Sequence, residues 1–218
     1  MKISDTRERI LKEALGLFSE YGYDAVSTQQ IAAAVGIKAP SLYNHFKSKQ
    51  AIFDEIAAEA SKKYNEFTNT LSVHMHSAED DGEVFEKITK EELIEKVTQI
   101  FLYSIHDEFV SRMRRMMTIE QFRSPELAAA YTKRYVDDIV DYHENIFSHL
   151  IKSNTIMGGN PKAFALAYTA PILSLIGICD RQPQKEDECV KMLKNHVALF
   201  FDSVNKQAKK NQSEEKIR

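Results

Sequence analysis

Apolar residues recur at intervals of three and four along most of the chain, which is the period of an amphipathic α-helix. The first such segment follows Asp5 and Glu8, whose spacing is typical of a helix N-terminal capping box, and Gly22 ends it. Seven Gly and five Pro in 218 residues are too few for a fold of many short strands and tight turns. The pattern therefore predicts an all-α protein.

Two short helices are predicted on either side of Gly36. Ser27 and Gln30 form a second capping pair and begin a helix of about two turns, which ends at Gly36 because glycine adopts the left-handed backbone at no steric cost. Pro40 lies in the first turn of the next helix, and Ser48 is the predicted N-cap of a longer one. Two short helices joined by about three residues predict a helix–turn–helix motif, whose second helix is able to enter the major groove of DNA. An incidental helical hairpin with a solvated polar face is the alternative interpretation.

The remainder of the chain predicts a second, larger helical lobe. The charged, Gly-containing segment from Ser77 to Glu83 is its clearest loop. Helix starts are predicted at Thr89 with Glu92, at Ser124-Pro125, at Asn160-Pro161 and near Asp187. One long helix is expected from Pro125 to a point after Leu150, because neither Gly nor Pro interrupts it.

The segment from Ala163 to Cys179 contains no charged residue. A helix without a charged face must be covered on nearly every side, so this one is expected both in the core and in an interface between two copies of the chain. The final helix adds an apolar stripe to that surface, formed by Cys189, Leu193, His196, Val197, Phe200 and Val204. The alternative is a central helix of a large monomeric core. Pro171 lacks the N–H that would bond to Ala167 and is expected to kink the helix.

Charge and cysteine content narrow the cellular setting and the partners. The chain has 29 basic and 32 acidic residues, and residues 1–50 are net positive whereas the rest is net negative. This balance argues against broad coating of nucleic acid but is compatible with local phosphate binding by the first lobe. Cys179 and Cys189 are too few for a disulfide scaffold, and they form either a redox pair or, more usually, buried inert thiols. A charged N-terminus and the lack of an uncharged apolar run of about 20 residues predict a cytoplasmic protein with no membrane association.

The run from Thr28 to Phe53 contains the pattern Ile-Ala-x-x-x-Gly-Ile followed by Leu-Tyr-x-x-Phe-x-Ser-Lys. This pattern closely resembles the tetracycline-repressor (TetR) family, over residues 1–55. The rest of the chain resembles the family only in its all-helical layout and its length. The resemblance implies an N-terminal three-helix DNA-binding lobe and a C-terminal helical lobe for effector binding and dimerisation. It further implies a transcriptional regulator, expected to be a repressor, that is not an enzyme and has no cofactor or metal.

The resemblance also implies roles for particular residues of the first lobe. Tyr43 and Lys49 match phosphate contacts, and Thr28 and Gln29 match contacts at the edge of the groove. The predicted recognition helix carries Lys38, Ala39, Pro40, Ser41, Asn44 and His45, and its core is formed by Ile31, Leu42 and Phe46. Lys38 stands where the family often has Ser or Thr, so the helix cap is expected to be weak and Lys38 is a candidate phosphate contact.

A single helix–turn–helix reads only a few base pairs, so the implied mechanism requires a two-fold dimer. Its two recognition helices are expected about 34 Å apart on a palindromic double-stranded operator. Dimerisation is assigned to the last two helices. The expected domains are residues 1–47 for DNA binding, residues 48–206 for effector binding and dimerisation, and residues 207–218 as a polar, disordered tail.

TetR-like regulators usually bind a small effector in the second lobe, and aromatic and Met side chains suit an adaptable apolar pocket. The candidates are Phe101, Tyr103, Ile105, Phe109, Met113, Met116, Met117, Phe122, Tyr135, Phe147, Phe164 and Tyr168. The same residues at helical spacing are more often plain core. Arg112, Arg114 and Arg115 either pair with an anionic effector or, as is more usual, are solvated. A bound effector is expected to tilt the helix that begins near Lys49, which couples effector and DNA affinities reciprocally.

Other functions have weaker support. The run His74–Asp81 has metal-ligand residue types but lies in the predicted loop without a fixed spacing. Asp137, Asp141 and Glu144 share a helical face, yet no Glu-x-x-His motif accompanies them, which favours an exposed charged face. A helical enzyme is an alternative that no Gly-x-Gly-x-x-Gly, Gly-x-Ser-x-Gly or His-Glu-x-x-His motif supports. A regulator that acts through a protein partner without a small ligand is the other alternative.

Overall fold

Helices account for nearly all of the regular structure. The computed structural model describes residues 3–75 and 77–205, and within these ranges the only β-type pairing is an isolated bridge between Ile156 and Asn205. In chain order the helices are α1 (Ile3–Tyr21), α2 (Thr28–Val35), α3 (Ala39–Leu42), α4 (Lys49–Thr70), α5 (Ala78–Lys87), α6 (Lys90–His106), α7 (Glu108–Glu120), α8 (Pro125–Thr132), α9 (Asp138–Lys152), α10 (Pro161–Arg181) and α11 (Glu186–Val204). The prediction of an all-α fold is confirmed, whereas the predicted tail, residues 207–218, lies outside the described residues.

The chain forms two compact units. Among the described residues, the first unit contains the chain up to Tyr64 together with His106–Thr132, and the second contains Asn65–Ile105 together with the chain from Lys133. The division falls within α4, and it adds α7 and α8 to the helices of the first lobe. Residues 47 and 48 both lie in the first unit, so the predicted boundary between them is not a boundary between packed units. As a division between DNA binding and effector binding it stays a prediction.

A capping box and a left-handed glycine explain where α2 begins and ends. The Ser27 hydroxyl accepts a hydrogen bond from the Gln30 backbone N–H at 3.3 Å, and the Gln30 side-chain oxygen accepts one from the Ser27 N–H at 2.7 Å. Gly36 ends α2 in the left-handed region, with φ of 76°. The predicted capping box at Asp5 is wrong, because α1 begins at Ile3 and Asp5 lies in its first turn. A carboxylate there still favours the positive end of the helix dipole.

The segment predicted as the clearest loop is a helix, α5. Asp81 is fully buried in it, where its carboxylate accepts hydrogen bonds from the His74 backbone N–H at 2.7 Å and from the Tyr142 hydroxyl. The His74 ring nitrogen Nδ1 lies 2.8 Å from the same carboxylate. These hydrogen bonds compensate the Asp81 carboxylate for the loss of water on burial. They therefore stabilise a helix in a segment whose composition predicts a solvated loop.

Gly82 fits the packing of α5 rather than a turn. The ring of His149, on α9, lies so close that a Cβ at position 82 would be 2.7 Å from the His149 Cγ. The same histidine binds Glu86 through its Nε2 at 2.6 Å. The absence of a side chain at position 82 therefore allows α5 and α9 to approach closely, which the sequence pattern of α5 alone does not reveal.

The long helix predicted from Pro125 is continuous to Lys152 but changes its winding once. Lys133–Asp137, between α8 and α9, forms a wider π-helical turn. The Ser124 hydroxyl accepts a hydrogen bond from the Leu127 N–H at 3.3 Å, which confirms the predicted start. A π turn shifts the helix face by part of a turn, so it interrupts the regular spacing that identifies the helix in the sequence.

The core of the second unit lies between α9, α10 and α11. Its most deeply buried side chains include Ala165 of α10 and Cys189, Leu193 and Val197 of α11, each at most 1% exposed. The Asn160 side chain accepts a hydrogen bond from the Ala163 N–H at 2.9 Å, as expected for the N-cap of α10. The helix continues through Pro171 to Arg181.

By length and composition alone, α10 is apolar enough to cross a membrane, contrary to the expectation that no segment has this property. One such helix is weak evidence for a membrane span, because core helices pass the same test. Only 33% of the most apolar stretch of α10 is buried. Leu166 of α10 is 55% exposed, and Leu199 of α11 is 72% exposed. The two helices therefore leave apolar surface uncovered, unlike a central helix in a monomeric core.

Candidate nucleic-acid interface

Polar side chains of α2, α3 and the adjoining turns remain accessible to solvent. Tyr43 is 52% exposed, and its hydroxyl lies 3.2 Å from the Thr28 hydroxyl, which links the start of α2 to the residues after α3. The exposed members of the predicted contact set are Gln29, Lys38, Pro40, Tyr43 and Asn44, and the half-buried members are Thr28, Ala39, Ser41, His45 and Lys49. No member is fully buried, as a surface that meets DNA requires.

The recognition segment, residues 38–45, contains less regular helix than predicted. α3 covers only Ala39–Leu42, and the chain continues in a turn in which the N–H groups of His45 and Phe46 donate to the Leu42 carbonyl at 2.9 and 3.0 Å. Lys38 makes no side-chain hydrogen bond to the helix, so the predicted weak cap is confirmed. A helix of one turn has almost no stability of its own, so its position depends on contacts with other elements.

Apolar side chains hold the recognition segment against the rest of the first unit. Leu42 and Phe46 are 0% and 3% exposed, and Ile31 of α2 is 0% exposed. The predicted core of the motif is therefore confirmed. It leaves the polar residues between these anchors on the outer surface.

The Lys49 ammonium binds backbone within the protein. It donates to the carbonyls of Tyr23 and Val26 at 2.9 and 3.0 Å, and it lies 4.2 Å from the centroid of the Tyr23 ring. These contacts fix the loop between α1 and α2 against the start of α4. An ammonium has three N–H donors, so one remains for the predicted phosphate contact.

α7 contacts the same loop. Glu120 is fully buried, and its carboxylate accepts a hydrogen bond from the Tyr23 backbone N–H at 3.0 Å. Gly22, beside it, has φ of 89°, a conformation that favours glycine. Burial, together with the charges of Asp54 and Asp24, raises the pKa of the Tyr23 phenol. The loop that leads into α2 is thus bound from two sides, by α4 and by α7.

Two arginines of α1 bind the end of α2 and the end of the recognition segment, and the sequence did not indicate either. Arg9 donates from Nη2 to the Val35 carbonyl at 2.6 Å, and Arg7 donates from Nη1 to the His45 carbonyl at 2.6 Å. Such donors satisfy carbonyls that a helix C-terminus leaves unpaired. In the sequence both arginines look like part of an ordinary solvated face, and only the fold shows their partners.

The predicted effector residues are divided between the two units. Phe109, Met113, Met116, Met117 and Phe122 belong to the first unit, and Phe101, Tyr103, Ile105, Tyr135, Phe147, Phe164 and Tyr168 belong to the second. Phe122 is 89% exposed in the turn after α7, which is incompatible with a place inside an enclosed pocket. Helical spacing placed it on an apolar face, but α7 ends at Glu120, before Phe122 is reached. The expectation that Arg114 is solvated is also wrong, because Arg114 is only 8% exposed.

Part of the predicted set forms an aromatic cluster in the second unit, defined here as Phe147, Phe164, Tyr168 and Phe200. The centroid of the Phe147 ring lies 6.0 Å from those of Phe164 and Tyr168 and 5.6 Å from that of Phe200. Phe200 and Tyr168 are 5.1 Å apart. Phe200 was predicted only for the dimer stripe, so its place among these rings is a result of the fold.

Two histidines border the aromatic cluster. The His143 ring lies 5.3 Å from the Tyr168 ring, and its Nδ1 donates to the Ile139 carbonyl at 2.8 Å. Desolvation lowers the pKa of His143 from 6.5 to about 4, so its ring is neutral near pH 7. His196 donates from Nε2 to the Tyr168 carbonyl at 2.9 Å. Burial also raises the pKa of the Tyr168 phenol. The four rings of the cluster therefore carry no charge near neutral pH.

Residues 10–56 match the family model described as bacterial regulatory proteins, tetR family. This range contains the whole helix–turn–helix and every predicted DNA-contact residue. Residues 10–56 therefore resemble the DNA-binding domain of the TetR family.

Curated TetR-family relatives match over a limited length. The tetracycline repressor protein class D of Escherichia coli is 36% identical over 62 residues, which is 28% of this chain and 28% of the repressor. IcaR of Staphylococcus aureus, the negative transcriptional regulator of the biofilm operon icaADBC, is 45% identical over 49 residues, which is 22% of this chain and 26% of IcaR. The matches span little more than a quarter of these relatives.

Solved TetR-family structures share the fold of nearly the whole chain. A TetR-family transcriptional regulator from Mesorhizobium loti gives a TM-score of 0.67 at 18% identity, covering 94% of this chain and 99% of its own. NalD of Pseudomonas aeruginosa, the secondary repressor of the MexAB-OprM multidrug efflux pump, gives 0.65 at 23% identity, with coverage of 94% and 99%. At these identities the likeness establishes the fold, an N-terminal helix–turn–helix lobe and a C-terminal helical lobe.

The other candidate sites, an acidic helical face and two cysteines, have simple structural explanations. Asp141 and Glu144 lie 3.7 and 3.6 Å from the Lys162 ammonium, as in an exposed charged face. Cys179 and Cys189 are both buried free thiols, and burial with the hydrogen bond to Cys189 raises the pKa of Cys179 to about 12. A thiol with so high a pKa is a poor nucleophile near pH 7.

Proposed function

We propose that this chain is a homodimeric transcriptional repressor that binds a palindromic operator and releases it when a small molecule binds the C-terminal lobe. One observation carries the proposal: the chain has a TetR-family helix–turn–helix whose matched DNA-contact residues all remain accessible. The proposed partner is double-stranded DNA, and the proposed location of the protein is the cytoplasm.

The accessible side chains fit two different tasks on DNA. Ser41 and Asn44 carry hydroxyl and amide groups that can hydrogen-bond base edges in the major groove. Tyr43 and Lys38 suit phosphate oxygens, which fix register without reading sequence. The first pair therefore determines which operator is preferred, and the second pair contributes affinity to any duplex.

Dimerisation follows from the small number of base pairs that one motif reads. The exposed apolar residues of α10 and α11, with Leu166 and Leu199 among them, supply a surface that a second copy of the chain would cover. A surface that pairs with itself across a two-fold axis brings two recognition segments to one palindrome.

Effector control is supported by the aromatic cluster. A solved complex of SmeT with triclosan gives a TM-score of 0.62 at 20% identity, covering 93% of this chain and 92% of SmeT, so a protein of this fold binds a small aromatic molecule. In this chain we assign the contact with such a ligand to the uncharged, adjoining rings of Phe147, Phe164, Tyr168 and Phe200. A ligand that prefers an arrangement of the second lobe unfavourable for operator binding must, by linkage, bind more weakly to the DNA-bound form.

The first experiment selects an operator from random duplexes with the full chain. A palindrome with half-sites about one helical turn apart is expected. Ser41→Ala and Asn44→Ala should each relax the preference at particular base pairs, by about 1 to 3 kcal/mol. Lys62→Ala, on the exposed side of α4, is the control and should leave the preference unchanged. Selection that enriches no sequence contradicts the proposal.

The second experiment screens aromatic small molecules for ligands that raise the melting temperature of the full chain. A ligand is expected to weaken operator binding as it stabilises the protein. Phe164→Ala, in the aromatic cluster, should weaken its binding, whereas Tyr135→Ala, outside the cluster, should not. If Tyr135→Ala abolishes binding and Phe164→Ala does not, the pocket has been placed wrongly. Ligand binding without any change in operator affinity contradicts effector control.

A further inference from the structure

Arg7 of α1 joins three elements of the first unit. Its Nη1 donates to the His45 carbonyl at 2.6 Å, at the end of the recognition segment. Its Nε donates to one carboxylate oxygen of Glu55, on α4, at 2.8 Å, and its Nη2 donates to the other. The guanidinium carbon lies 4.1 Å from the centroid of the Phe46 ring. One side chain thus binds the recognition segment to α1 and to α4.

The recognition segment needs such an anchor because its own helix is short. α3 is four residues long and has no side-chain cap. Leu42 and Phe46 hold the segment against the core, but apolar contacts are not directional and leave its rotation weakly determined. A short, charge-assisted hydrogen bond to the His45 carbonyl is directional, and it constrains the backbone that carries Asn44 and His45.

We infer that Arg7 is a positioning residue for operator recognition, which fixes the orientation of residues 38–45 and thereby the preference for one sequence. This inference rests on the proposed function. Glu55 acts with Arg7, because its bidentate pairing sets the direction in which the guanidinium points. Arginine suits this role better than lysine, since its planar fork bonds the carboxylate and the carbonyl at once while its face stacks on Phe46.

Two other roles for Arg7 make different predictions. Three of the five guanidinium donors are engaged, so the other two are able to contact a phosphate. A phosphate contact contributes equally to every duplex and increases the salt dependence of binding. A purely structural role would lower the free energy of unfolding without altering the ratio of operator to non-operator affinity in the folded protein.

The test compares Arg7→Gln, Glu55→Gln and the double variant with Lys12→Gln in the full chain. Lys12 is the matched control, because it lies on the same helix and its ammonium is exposed, 3.9 Å from the exposed carboxylate of Glu108. Each variant is titrated with the selected operator and with a scrambled duplex of the same length, over a range of salt concentrations. Urea unfolding at the temperature of the titrations measures the free energy of unfolding of each variant and shows whether it is folded.

Arg7→Gln should bind the operator about tenfold more weakly, with the affinity for scrambled DNA and the salt slope unchanged. Glu55→Gln should change the ratio in the same direction. The double variant should be no worse than Arg7→Gln alone, because both changes remove the same clamp. Lys12→Gln should behave as the wild type.

A parallel loss on both duplexes, with the salt slope reduced by about one, would assign Arg7 to a phosphate and overturn the inference. An unchanged affinity ratio in folded Arg7→Gln overturns it as well. If Arg7→Gln does not fold, the ratio in Glu55→Gln decides, and an unchanged ratio there is again contradictory. A wild-type chain that prefers no sequence would instead refute the proposed function, which distinguishes the two failures.

Discussion

Lys47 and Lys49 are two residues apart and carry the same charge, but their ammonium groups have different surroundings. Lys49 donates to two backbone carbonyls of the loop between α1 and α2 and lies over the Tyr23 ring. Lys47 is exposed on the turn before α4. The first is therefore expected to contribute mainly to folding, and the second to attract DNA without a cost in stability.

Lys49→Ala should lower the free energy of unfolding by about 1 to 2 kcal/mol, because two carbonyls lose a charged donor. Lys47→Ala, the matched control, should leave the stability unchanged but reduce the salt slope of DNA binding. Urea unfolding and salt titrations of both variants measure these effects. Equal stability of Lys49→Ala and wild type would show that the two backbone hydrogen bonds contribute nothing to folding.

His143 makes the stability of the second unit depend on pH. Its pKa falls from 6.5 to about 4 because its ring is desolvated. In the unfolded chain the ring takes up a proton near its ordinary pKa, whereas in the folded chain it stays neutral to lower pH. The contribution of His143 is therefore present above its ordinary pKa and is lost as the pH falls toward its folded pKa.

His143→Gln should accordingly lose less stability than the wild type when the pH is lowered from 7 to about 5. Other carboxylates and histidines titrate in both proteins, so the relevant quantity is the difference between the two urea-unfolding profiles. His106→Gln, at an exposed histidine, controls for the general effect of removing an imidazole. Parallel profiles for His143→Gln and wild type would contradict the desolvated state of this ring.

At the level of helices, α5 shows how neighbours override a local pattern. Ser77 to Glu83 has the composition of a loop, yet Asp81 is buried with two hydrogen-bond partners and Gly82 lies against His149. Two of these partners are on α9, far away in the sequence. The helix is therefore stabilised mainly by tertiary packing, which is how short helices usually form.

Replacing a helical glycine with alanine usually stabilises a helix by about 1 kcal/mol. Gly82→Ala should instead destabilise the protein, because the new Cβ would overlap the His149 ring. In a His149→Ala background the same change should become neutral or stabilising. Urea unfolding of the four proteins forms a double-mutant cycle. Additive effects in that cycle would mean that His149 does not approach Gly82.

For the molecule as a whole, the apolar surface of α10 and α11 is the feature that a monomer leaves unexplained. Leu166 is 55% exposed on the strongly apolar α10, and Leu199 is 72% exposed on α11. Large exposed apolar patches usually mark an interaction surface. In the proposed homodimer, this surface is buried against a second copy of the chain, which supplies the second recognition segment.

If the proposed dimer forms through α10 and α11, Leu166→Glu with Leu199→Glu should convert it to a monomer, because the interface would have to bury two charges without partners. Helix content should be retained, and operator affinity should fall by orders of magnitude. Phe122→Glu is the control, since Phe122 is 89% exposed on the first unit. Sedimentation velocity and circular dichroism measure both properties. A Leu166→Glu, Leu199→Glu protein that remains dimeric would place the interface elsewhere.

Features that depend on neighbouring residues could be predicted, because their signals lie within one or two helical turns. The capping pair Ser27 and Gln30, the left-handed Gly36 and the buried Leu42 and Phe46 are of this kind. The length of α3 could not, because Pro40 identifies where the helix begins but nothing nearby fixes its end. The π-helical turn between α8 and α9 could not be predicted either, because no nearby residue identifies where the winding changes.

The sequence by itself determined the all-α class, the capping pair Ser27 and Gln30 at the start of α2 and the resemblance of the helix–turn–helix to the TetR family, since these signals are local properties of the chain. Only the tertiary structure decided that Arg7 binds His45 and Glu55, that Tyr142 donates to Asp81 and that Met113 belongs to the first unit. The three hydrogen bonds join residues that are 38, 48 and 61 positions apart in the sequence. Such partners follow no periodic pattern, because they are selected by the burial of charge and by the packing of helices that meet only in the folded chain.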